Sequence, residues 1–323
     1  MSEVIFSKDF DNLLNNVDFS KLGKRTAIKL HFGERGCTTF LNPSYAKRLY
    51  DKIKKPDNVV ELIECNALYK GSRSNKTNHL KIAKEHGFDF APIKILDGEL
   101  GNEYVNIDGC KLGKGIKDYD SLIVLTHFKG HMMAGLGGAL KNVGMGLGSR
   151  AGKLDMHSTI KPSVNEKKCI ACGACVKSCP ASAIILDKKA RISPKVCIGC
   201  ATCIEVCPEN AINIPWSSSS PERLQERICD YSKAILSLFK NVIFINCLIN
   251  ITPQCDCHNS KQKILCKDIG FLYSKNIVSI DSCSKDLFTE NDLLKNNVKK
   301  FMHFIDYAEK IKLGSKKYNL INK

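Results

Sequence analysis

The sequence predicts an α/β fold, a mostly parallel sheet with flanking helices, that is interrupted by a small α+β module. Strand and helix signals alternate over the first half of the chain, stop near residue 162 and resume after residue 216. Between them lie two cysteine-rich runs of identical spacing. We therefore expect a discontinuous α/β domain over residues 1–162 and 216–323, with a second domain over residues 165–214 inserted in it.

The N-terminal part alternates strand signals with helix signals. Asn42 and Pro43 are typical of a helix start, because the asparagine oxygen accepts from a free backbone N–H and proline fits the first turn. A second helix over residues 80–86 is expected to end at Gly87. Apolar residues of the first helix recur with helical spacing at Tyr45, Leu49 and Ile53. The predicted strands are residues 26–32, 59–63, 93–96 and 122–126.

The pattern resumes after the cysteine-rich runs. Ser220 and Pro221 begin a helix, and residues 217–220 are interpreted as the linker that returns to the sheet. The lysine-rich C-terminal tail is expected to be solvated. A last helix has its apolar stripe at Leu294, Val298, Phe301, Ile305 and Ala308. The predicted strands of this part are residues 242–245, 269–273 and 277–280.

Each cysteine-rich run has the spacing C-x2-C-x2-C-x3-C-P, the ligand pattern of a bacterial ferredoxin with two [4Fe-4S] clusters. In this pattern each cluster takes three thiolates from one run and the fourth from the other. Small residues between the cysteines allow backbone N–H groups to approach the cluster sulfurs. The second domain is therefore predicted to be a ferredoxin-like double-cluster module. One cluster is expected on Cys169, Cys172, Cys175 and Cys207, and the other on Cys197, Cys200, Cys203 and Cys179.

The composition limits the classes of protein to consider. The chain has 323 residues, 17 cysteines and a formal net charge of +16. Its lysines are spread along the chain without a nucleic-acid-binding motif, so nucleic acid is not an expected partner. Neither a membrane-spanning apolar run nor a signal peptide is recognised, so no membrane association is expected. Because cluster thiolates need reducing surroundings, we expect a cytoplasmic protein of an oxygen-poor cell.

A second site is predicted where polar residues follow strands, because ligands of open parallel sheets lie beyond the carboxyl ends of the strands. His31 follows the first predicted strand, and His127 and His131 follow the fourth. Cys255 and Cys257 follow a later strand. The pair His127 and His131 is the candidate catalytic set, and the two cysteines are candidate ligands of an extra metal ion, zinc or iron. The alternatives are polar loop residues and inert buried thiols.

Residues 135–152 contain seven glycines, a density that predicts tight turns or a close approach to a ligand. Polar and basic side chains beside them could bind an anion. These residues are Lys141, Asn142, Arg150 and Lys153. We expect the glycine-rich segment, the histidine pair and the two cysteines to converge in one pocket.

Four strings of the sequence are distinctive: HFGERGCTTFLNP (31–43), LYKGSRSN (68–75), HFKGHMMAGLGGALKNVGMG (127–146) and NITPQCDC (250–257). They resemble strings of the DUF362 family. That family comprises iron–sulfur proteins of unknown function that often carry an inserted double-cluster ferredoxin domain. The resemblance covers nearly all of the chain, and it implies an α/β domain whose loops share a site, but no reaction. After Cys257 the chain departs from the family pattern of an acidic residue and prolines.

These observations indicate an iron–sulfur redox protein that relays single electrons through two [4Fe-4S] clusters to a substrate, cofactor or metal at the α/β domain. One alternative is a non-catalytic electron carrier or maturation factor that docks a partner enzyme, and another is a metal-dependent acid–base enzyme with structural clusters. The expected partners are a soluble electron donor or acceptor protein and an unidentified small-molecule substrate. Residues 165–214 carry 7 basic and 4 acidic residues, a balance of 7 − 4 = +3, which favours an acidic protein or an anionic substrate.

Overall fold

The computed structural model describes residues 1–289 and 294–323, apart from the side chain of Ser217. Among these residues no helix is both long enough and apolar enough to cross a lipid bilayer. The strands are β1 (Ser2–Ser7), β2 (Arg25–Lys29), β3 (Val59–Glu64), β4 (Ile93–Ile95), β5 (Tyr104–Ile107), β6 (Cys110–Gly113), β7 (Ser121–His127), β8 (Lys129–His131), β9 (Gly135–Gly137), β10 (Ser163–Val164), β11 (Ile184–Leu186), β12 (Ala190–Ile192), β13 (Ile212–Asn213), β14 (Asn241–Leu248), β15 (Gly270–Ser274) and β16 (Tyr318–Asn322). The helices are α1 (Phe10–Asn15), α2 (Pro43–Ile53), α3 (Lys76–Glu85), α4 (Ala139–Leu147), α5 (Arg150–His157), α6 (Ala174–Lys177), α7 (Thr202–Val206), α8 (Pro221–Leu236), α9 (Ile277–Thr289) and α10 (Lys295–Lys310).

One large sheet organises the described part of the chain, with the strand order β16-β1-β15-β14-β7-β2-β3-β4. The strand β15 runs antiparallel to both of its neighbours, β1 and β14. The other pairings of this sheet are parallel. A mostly parallel central sheet with flanking helices confirms the predicted fold class.

Both faces of the sheet are buried, as is usual for parallel strands. In β7, Leu122 and Val124 belong to the hydrophobic cluster on one face, whereas Ile123 and Leu125 belong to the cluster on the other. Residues of α4, α8, α9 and α10 pack in the first cluster, and residues of α1, α2 and α3 pack in the second. The continuous apolar run of this strand therefore reflects a central position between two layers of helices.

Side-chain caps explain where several helices begin. The Asn42 side chain accepts a backbone hydrogen bond of 2.9 Å at the start of α2, and the Ser220 hydroxyl accepts one of 3.2 Å at the start of α8. Both helix starts confirm the prediction. The helix α3 begins earlier than predicted, because the Asn75 side chain accepts a hydrogen bond of 2.9 Å from the backbone N–H of Asn78. Asparagine and serine are favoured at such positions because they satisfy a donor that the helix itself leaves free.

The predicted strand at residues 277–280 is wrong, because these residues begin α9. The Asn276 side chain accepts hydrogen bonds from the backbone N–H groups of Val278 and Ser279, at 3.1 and 3.0 Å. That cap turns the chain into a helix directly after β15. A short apolar run cannot by itself distinguish a buried strand from a buried helix, so the cap decides.

The expectation of a solvated C-terminal tail is wrong for its last residues. They form β16, which pairs in parallel with β1 at the edge of the large sheet. Tyr318 and Leu320 pack against the hydrophobic cluster. The alternation of apolar and polar residues in this strand covers only a few residues. The lysines before it make the segment resemble a solvated tail in the sequence.

The two ends of the segment of residues 165–214 lie next to each other. The short strands β10 and β13 pair antiparallel there, with Ser163 opposite Asn213. Strands from before and after this segment lie side by side in the large sheet, since β7 pairs with β14. The segment packs around a hydrophobic cluster of its own, which Leu68 and Leu154 join from the rest of the chain. The division into two domains stays a prediction.

Candidate functional site

The eight cysteines of the two runs line two cavities of about 350 Å³ each. In each cavity three cysteines come from one run and the fourth comes from the other. The first cavity is lined by Cys169, Cys172, Cys175 and Cys207, and the second by Cys197, Cys200, Cys203 and Cys179. These are the crossed sets that the spacing predicts, and the clusters themselves stay a prediction.

The two runs fold their backbones in the same way around these cavities. Ala171 and Gly199 occupy equivalent positions and have φ angles of 57° and 73°. Gly173 and Ala201, at the next equivalent positions, have φ angles of 75° and 62°. Left-handed backbone disfavours side chains with a large Cβ branch, so the small residues between the cysteines have a structural cause.

The residues around both cavities fit a [4Fe-4S] cluster. The backbone N–H groups of Ala183 and Ala211 donate to the sulfurs of Cys179 and Cys207, at 3.3 and 3.2 Å, and such hydrogen bonds tune a cluster's potential. Within residues 1–289 and 294–323, no three His, Cys, Asp or Glu side chains are grouped closely enough to hold a single metal ion. A cluster has a different requirement, because its four thiolates bind four different iron atoms and lie farther apart. Apolar side chains complete the walls at Val164, Ile170, Leu186 and Ile212 and at Ile184, Ile192 and Ile198.

A larger cavity, of about 1640 Å³ and open to solvent, lies beyond the carboxyl ends of the central strands. The ends of β2, β3 and β7 and the loop after β14 contribute to its wall. The structure brings together in this cavity the side chains that the sequence singles out, and their chemical roles stay predictions. They are His31, His127, His131, Cys255 and Cys257, with Gly137, Gly138 and Gly146 of the glycine-rich segment.

His31 and His131 are neutral and carry their hydrogen on Nε2. The Nδ1 atom of His31 accepts from the backbone N–H of Gly33 at 3.0 Å, and that of His131 accepts from Ala134 at 3.0 Å. Because a backbone amide only donates, each Nδ1 must be unprotonated. Burial, and then the positive charges around the cavity, lower the pKa of both rings well below the usual value. Both histidines can therefore offer an Nε2–H donor to a ligand.

His127 is instead fixed by protein atoms on both sides of its ring. Its Nδ1 lies 2.9 Å from the Asp256 carboxylate, and its Nε2 lies 2.9 Å from the carbonyl oxygen of Ile249. Lys129 also binds Asp256. Burial acts against ionisation, but His127 and Lys129 hold the pKa of Asp256 below its usual range. Proton transfer from His127 would break one of these bonds, so the geometry favours His131 as the proton donor.

Cys255 and Cys257 form a polarised pair of thiols beside Lys141. The Lys141 Nζ atom lies 3.5 Å from the Cys255 sulfur. A hydrogen bond from Cys257 outweighs burial, and Lys141 adds to it, so that the pKa of Cys255 lies well below its usual value. The same hydrogen bond, together with burial, raises the pKa of Cys257. In the described residues no third His, Cys, Asp or Glu completes a metal-binding group here.

The wall of the large cavity is rich in positive charge. Lys29 forms a buried ion pair of 2.7 Å with Glu64, and Arg73 lies 3.7 Å from the same carboxylate group. Lys141 and Lys153 have no carboxylate within ion-pair distance in the described part of the chain, and Lys153 donates to the Gly148 carbonyl at 2.6 Å. Lys141 lies beside the Cys255 sulfur and Lys153 has no acidic partner, so the positive charge that remains favours an anionic ligand in the cavity.

Two of the predicted anion-binding residues are already occupied by protein groups. The Arg150 guanidinium is fully buried and lies 3.5 Å from the Glu205 carboxylate. The Asn142 side-chain nitrogen donates to the Thr126 hydroxyl at 3.0 Å. Both side chains therefore position neighbouring segments, which leaves the two lysines of the predicted set for an anion.

The glycine-rich segment forms the strand β9, the helix α4 and the start of the helix α5 rather than a series of turns. A Cβ atom at Gly138 would lie 2.3 Å from the Asp281 carboxylate, which accepts the first amides of α4 at 2.7 and 2.9 Å. A Cβ atom at Gly146 would lie 2.5 Å from the Lys29 Nζ atom. The glycines are therefore needed because protein groups approach the backbone closely.

Sequence reasoning missed the polar groups that fix the cavity wall. The Tyr69 hydroxyl donates to the Cys257 carbonyl at 3.0 Å and accepts from Arg73 at 2.7 Å. The signal for the Lys29–Glu64 pair was present, since a lysine ends the apolar strand β2 and a glutamate ends the neighbouring β3. A buried strand carries such charges only when they are paired.

The loop that contains Leu68 connects the large cavity with the cysteine-rich segment. Leu68 lines the cavity and also packs in the hydrophobic cluster that contains Cys175 and Cys207. Farther along the same loop, the Asn75 side chain donates to the Glu205 carboxylate at 2.9 Å. Lys70 donates to the carbonyl oxygen of Cys207. One loop therefore contacts the cavity on one side and the cysteine-rich segment on the other.

Two solved structures are similar to this chain. The first is the lactate racemase apoprotein from Thermoanaerobacterium thermosaccharolyticum, at 11% identity and a TM-score of 0.38, over 77% of this chain and 51% of the other. The second is a Thermotoga maritima protein solved by the Northeast Structural Genomics Consortium, at 10% identity and a TM-score of 0.40, over 93% of this chain and 57% of the other. The chain thus spans little more than half the length of either protein.

A comparison with curated proteins finds no match to this chain. A family model does match it, the model described as a domain of unknown function, DUF362, over residues 26–286. That range includes the four strings that carry the resemblance, from His31 to Cys257. The resemblance is therefore confirmed, and this chain belongs to the DUF362 family.

Proposed function

We propose that this protein relays single electrons through two [4Fe-4S] clusters to a small anionic molecule in the large cavity. The two crossed sets of cysteines would hold the clusters, which supply electrons one at a time when bound. The reducing cytosol is the compartment that suits such thiolates. The proposed activity combines two parts, a redox module and a domain with a ligand cavity, and a separate set of residues supports each part.

The observation that carries this proposal is the position of Leu68. Its side chain is buried, lines the large cavity and packs in the hydrophobic cluster of the cysteine-rich segment. The buried ion pair between Arg150 and Glu205 fixes the same two parts against each other. Because one side chain contacts both the cavity and the cysteine-rich segment, electrons that leave this segment would pass to a molecule bound in the cavity.

The side chains of the cavity suit the reduction of an anion. Each electron adds negative charge to the bound molecule, and the ammonium groups of Lys141 and Lys153 would stabilise that charge. Reduction also consumes protons, and the Nε2–H group of His131 is placed to donate one. His31 offers a second N–H group that would orient the molecule. The cavity therefore supplies charge, orientation and a proton without a further ion.

An acidic, soluble electron-transfer protein is the partner that we propose at the first cysteine cavity. Ile170 and Ile185 are 60% and 70% exposed near this cavity, which is unusual for isoleucine. Basic residues lie close to them in sequence, at Lys167, Lys168, Lys177, Lys188 and Lys189, and outnumber the acidic Glu166 and Asp187. An apolar centre with a basic rim fits a transient complex with an acidic partner.

The same exposed isoleucines favour a second candidate function. A non-catalytic carrier or maturation factor would use this surface to dock a partner enzyme and pass electrons to it. In that case the large cavity would have no part in electron transfer. Substitutions in the cavity separate the two candidates, because they affect the first function and leave the second unchanged.

The test uses anaerobically purified, cluster-loaded protein that is photoreduced with a deazaflavin. Members of a panel of 2-oxo acids and of phosphate esters that carry a ketone or aldehyde are then added singly, and cluster reoxidation is followed by visible absorbance. We expect at least one anion to accelerate reoxidation, and we expect His131→Ala to reduce that acceleration by about tenfold or more.

His303→Ala is the matched control for this experiment. His303 is a half-exposed histidine of α10 that pairs with Glu226 at 3.3 Å and does not line the cavity. Its substitution should leave the reoxidation rate unchanged. Equal rates for the wild type and His131→Ala with every anion would overturn the proposal and favour the carrier.

A further inference from the structure

We propose that Cys255 and Cys257 form a reversible disulfide in the large cavity, which holds two electrons between the clusters and the anionic molecule. This inference rests on the proposed relay and adds to it a redox site made of protein atoms. Such a site would collect electrons that arrive singly and deliver them as a pair. Each cluster passes one electron at a time, whereas the reduction of most organic molecules takes two.

The backbone turn brings the two cysteines close enough together in the chain for a disulfide to span them. The N–H group of His258 donates to the carbonyl oxygen of Cys255 at 3.1 Å, which closes a four-residue turn over residues 255–258. The Cα atoms at the two ends of such a turn lie within about 7 Å, and its first and third residues are comparably close. A disulfide needs Cα atoms about 4.4–6.8 Å apart. The interaction between the two thiols lowers the pKa of Cys255 and raises that of Cys257.

Contacts on both sides fix this turn. The Tyr69 hydroxyl donates to the carbonyl oxygen of Cys257 at 3.0 Å. The backbone N–H of Glu34 donates to the carbonyl oxygen of Asp256 at 2.9 Å. Because the backbone is anchored at Asp256 and Cys257, the S–S bond can form and break while the loop keeps its shape.

The two sulfurs also lie where electrons can enter and leave. Among the cysteines outside the two runs, Cys255 and Cys257 are those that line the large cavity in the described residues. Cys257 also lines an outer groove of about 1400 Å³, through which a small molecule can approach. The ammonium of Lys141, 3.5 Å from the Cys255 sulfur, stabilises the thiolate that starts disulfide exchange.

The electron balance of the cycle is complete. The Cys255 thiolate and the Cys257 thiol become a disulfide when one S–S bond forms and the Cys257 S–H bond breaks, and the two electrons and this proton pass to the anionic molecule. The Nε2–H group of His131 donates the second proton and regains it from solvent. The disulfide returns to the thiolate and thiol when the S–S bond accepts two electrons, which arrive singly through the clusters, and one proton from solvent. The soluble electron donor protein supplies both electrons.

The first test measures the oxidation state of the two cysteines in the full, cluster-loaded chain. The protein is equilibrated anaerobically in buffers of reduced and oxidised glutathione, quenched with acid, alkylated with iodoacetamide and digested. We expect the peptide with Cys255 and Cys257 to become unalkylated and about 2 Da lighter as the share of oxidised glutathione rises. Cys266→Ser, a substitution in the same loop outside the cavity, should give the same titration.

Three results of this titration would overturn the proposal. The two thiols could be alkylated at every glutathione ratio, they could link to other cysteines, or they could copurify with a bound metal ion. None of these results bears on whether the two cysteine runs hold clusters, so the proposed relay would not be contradicted by them. If the chain binds no clusters, the relay fails whatever the state of the two thiols.

The second test asks whether electrons reach the disulfide by way of the clusters. Oxidised protein is photoreduced with a deazaflavin, and the return of the two thiols is timed by alkylation. We expect the two thiols to reappear at least about tenfold more slowly in Cys203→Ser than in the wild type. If Cys203→Ser does not fold, Cys172→Ser replaces it and should show the same slowing. An unchanged rate in a folded variant that has lost iron would contradict the proposed path.

Discussion

The guanidinium of Arg150 lies 3.5 Å from the carboxylate of Glu205, and this buried ion pair joins the helix α5 to the second cysteine run. The Arg150 side chain is completely buried. It also donates to the carbonyl oxygen of Leu100 at 2.9 Å. Because a buried guanidinium must be neutralised, the two parts of the molecule are fixed in one arrangement at this point.

Glu205→Gln should destabilise the protein by about 3 kcal/mol, because it leaves a buried positive charge without a counter-ion. Urea unfolding of the cluster-loaded protein under anaerobic conditions measures this change. Glu209→Gln is the matched control, since Glu209 is exposed in the same segment. A loss of stability no larger than that of the control would mean that Arg150 is neutralised in another way.

Deletion of residues 165–214, with a short Gly-Ser bridge, should leave a domain that unfolds cooperatively. The reason is that the chain enters and leaves this segment at adjacent positions, where Ser163 pairs with Asn213. Residues 1–162 alone should be insoluble, because β7 would lose its neighbour β14 and expose half of the core. Circular dichroism and urea unfolding test both parts. A well-folded fragment of residues 1–162 would contradict the discontinuous domain.

The elements with a local cause were predictable from the sequence. Asn42 with Pro43, and Ser220 with Pro221, place helix starts because side-chain caps and proline act within one turn. The apolar run at residues 277–280 was not predictable in the same way. Its helical state depends on a single cap from Asn276, and four apolar residues fit a strand equally well.

The site was predictable in position but not in the partners of each residue. His131 and Cys257 follow strands, and parallel strands bring their carboxyl ends to one edge of the sheet. The sequence does not show that both ring nitrogens of His127 bind protein atoms, because Ile249 and Asp256 approach it only in the folded chain. Such pairings depend on tertiary contacts between segments far apart in sequence.

The free energy of unfolding should decrease as the pH falls, and His157 should account for part of this decrease. Burial, and then Lys141 and Lys153, lower the pKa of His157 to about 4 from an ordinary 6.5. Between these values the unfolded chain binds more protons than the native protein, so stability rises with pH and is lost as the pH falls. This histidine should contribute a loss of about 2 kcal/mol from pH 7 to pH 5.

Replacement of His157 by phenylalanine should remove that part of the pH dependence, since the new ring can still pack against Trp216. Urea unfolding at pH 5 and pH 7 gives the difference between the variant and the wild type. His303→Phe, at a half-exposed position, is the control and should keep the wild-type dependence. The same dependence in His157→Phe would show that His157 is not the group responsible.

Lys141→Gln should slow the alkylation of Cys255 at neutral pH by about threefold to tenfold. Loss of the ammonium 3.5 Å from the sulfur raises the pKa of Cys255 and leaves less thiolate. Timed reaction with iodoacetamide, followed by mass spectrometry of the peptide, measures the rate. Lys263→Gln, an exposed lysine of the same loop, should react like the wild type.

The iron and sulfide content of anaerobically purified protein tests the central claim most directly. We predict about eight iron and eight sulfide atoms per chain, with the EPR signal of two interacting clusters after reduction. Cys266→Ser should keep this content. Values near four, or a single isolated cluster signal, would contradict the account, because the two cavities and their crossed sets of cysteines would then not hold the pair of clusters on which the relay depends.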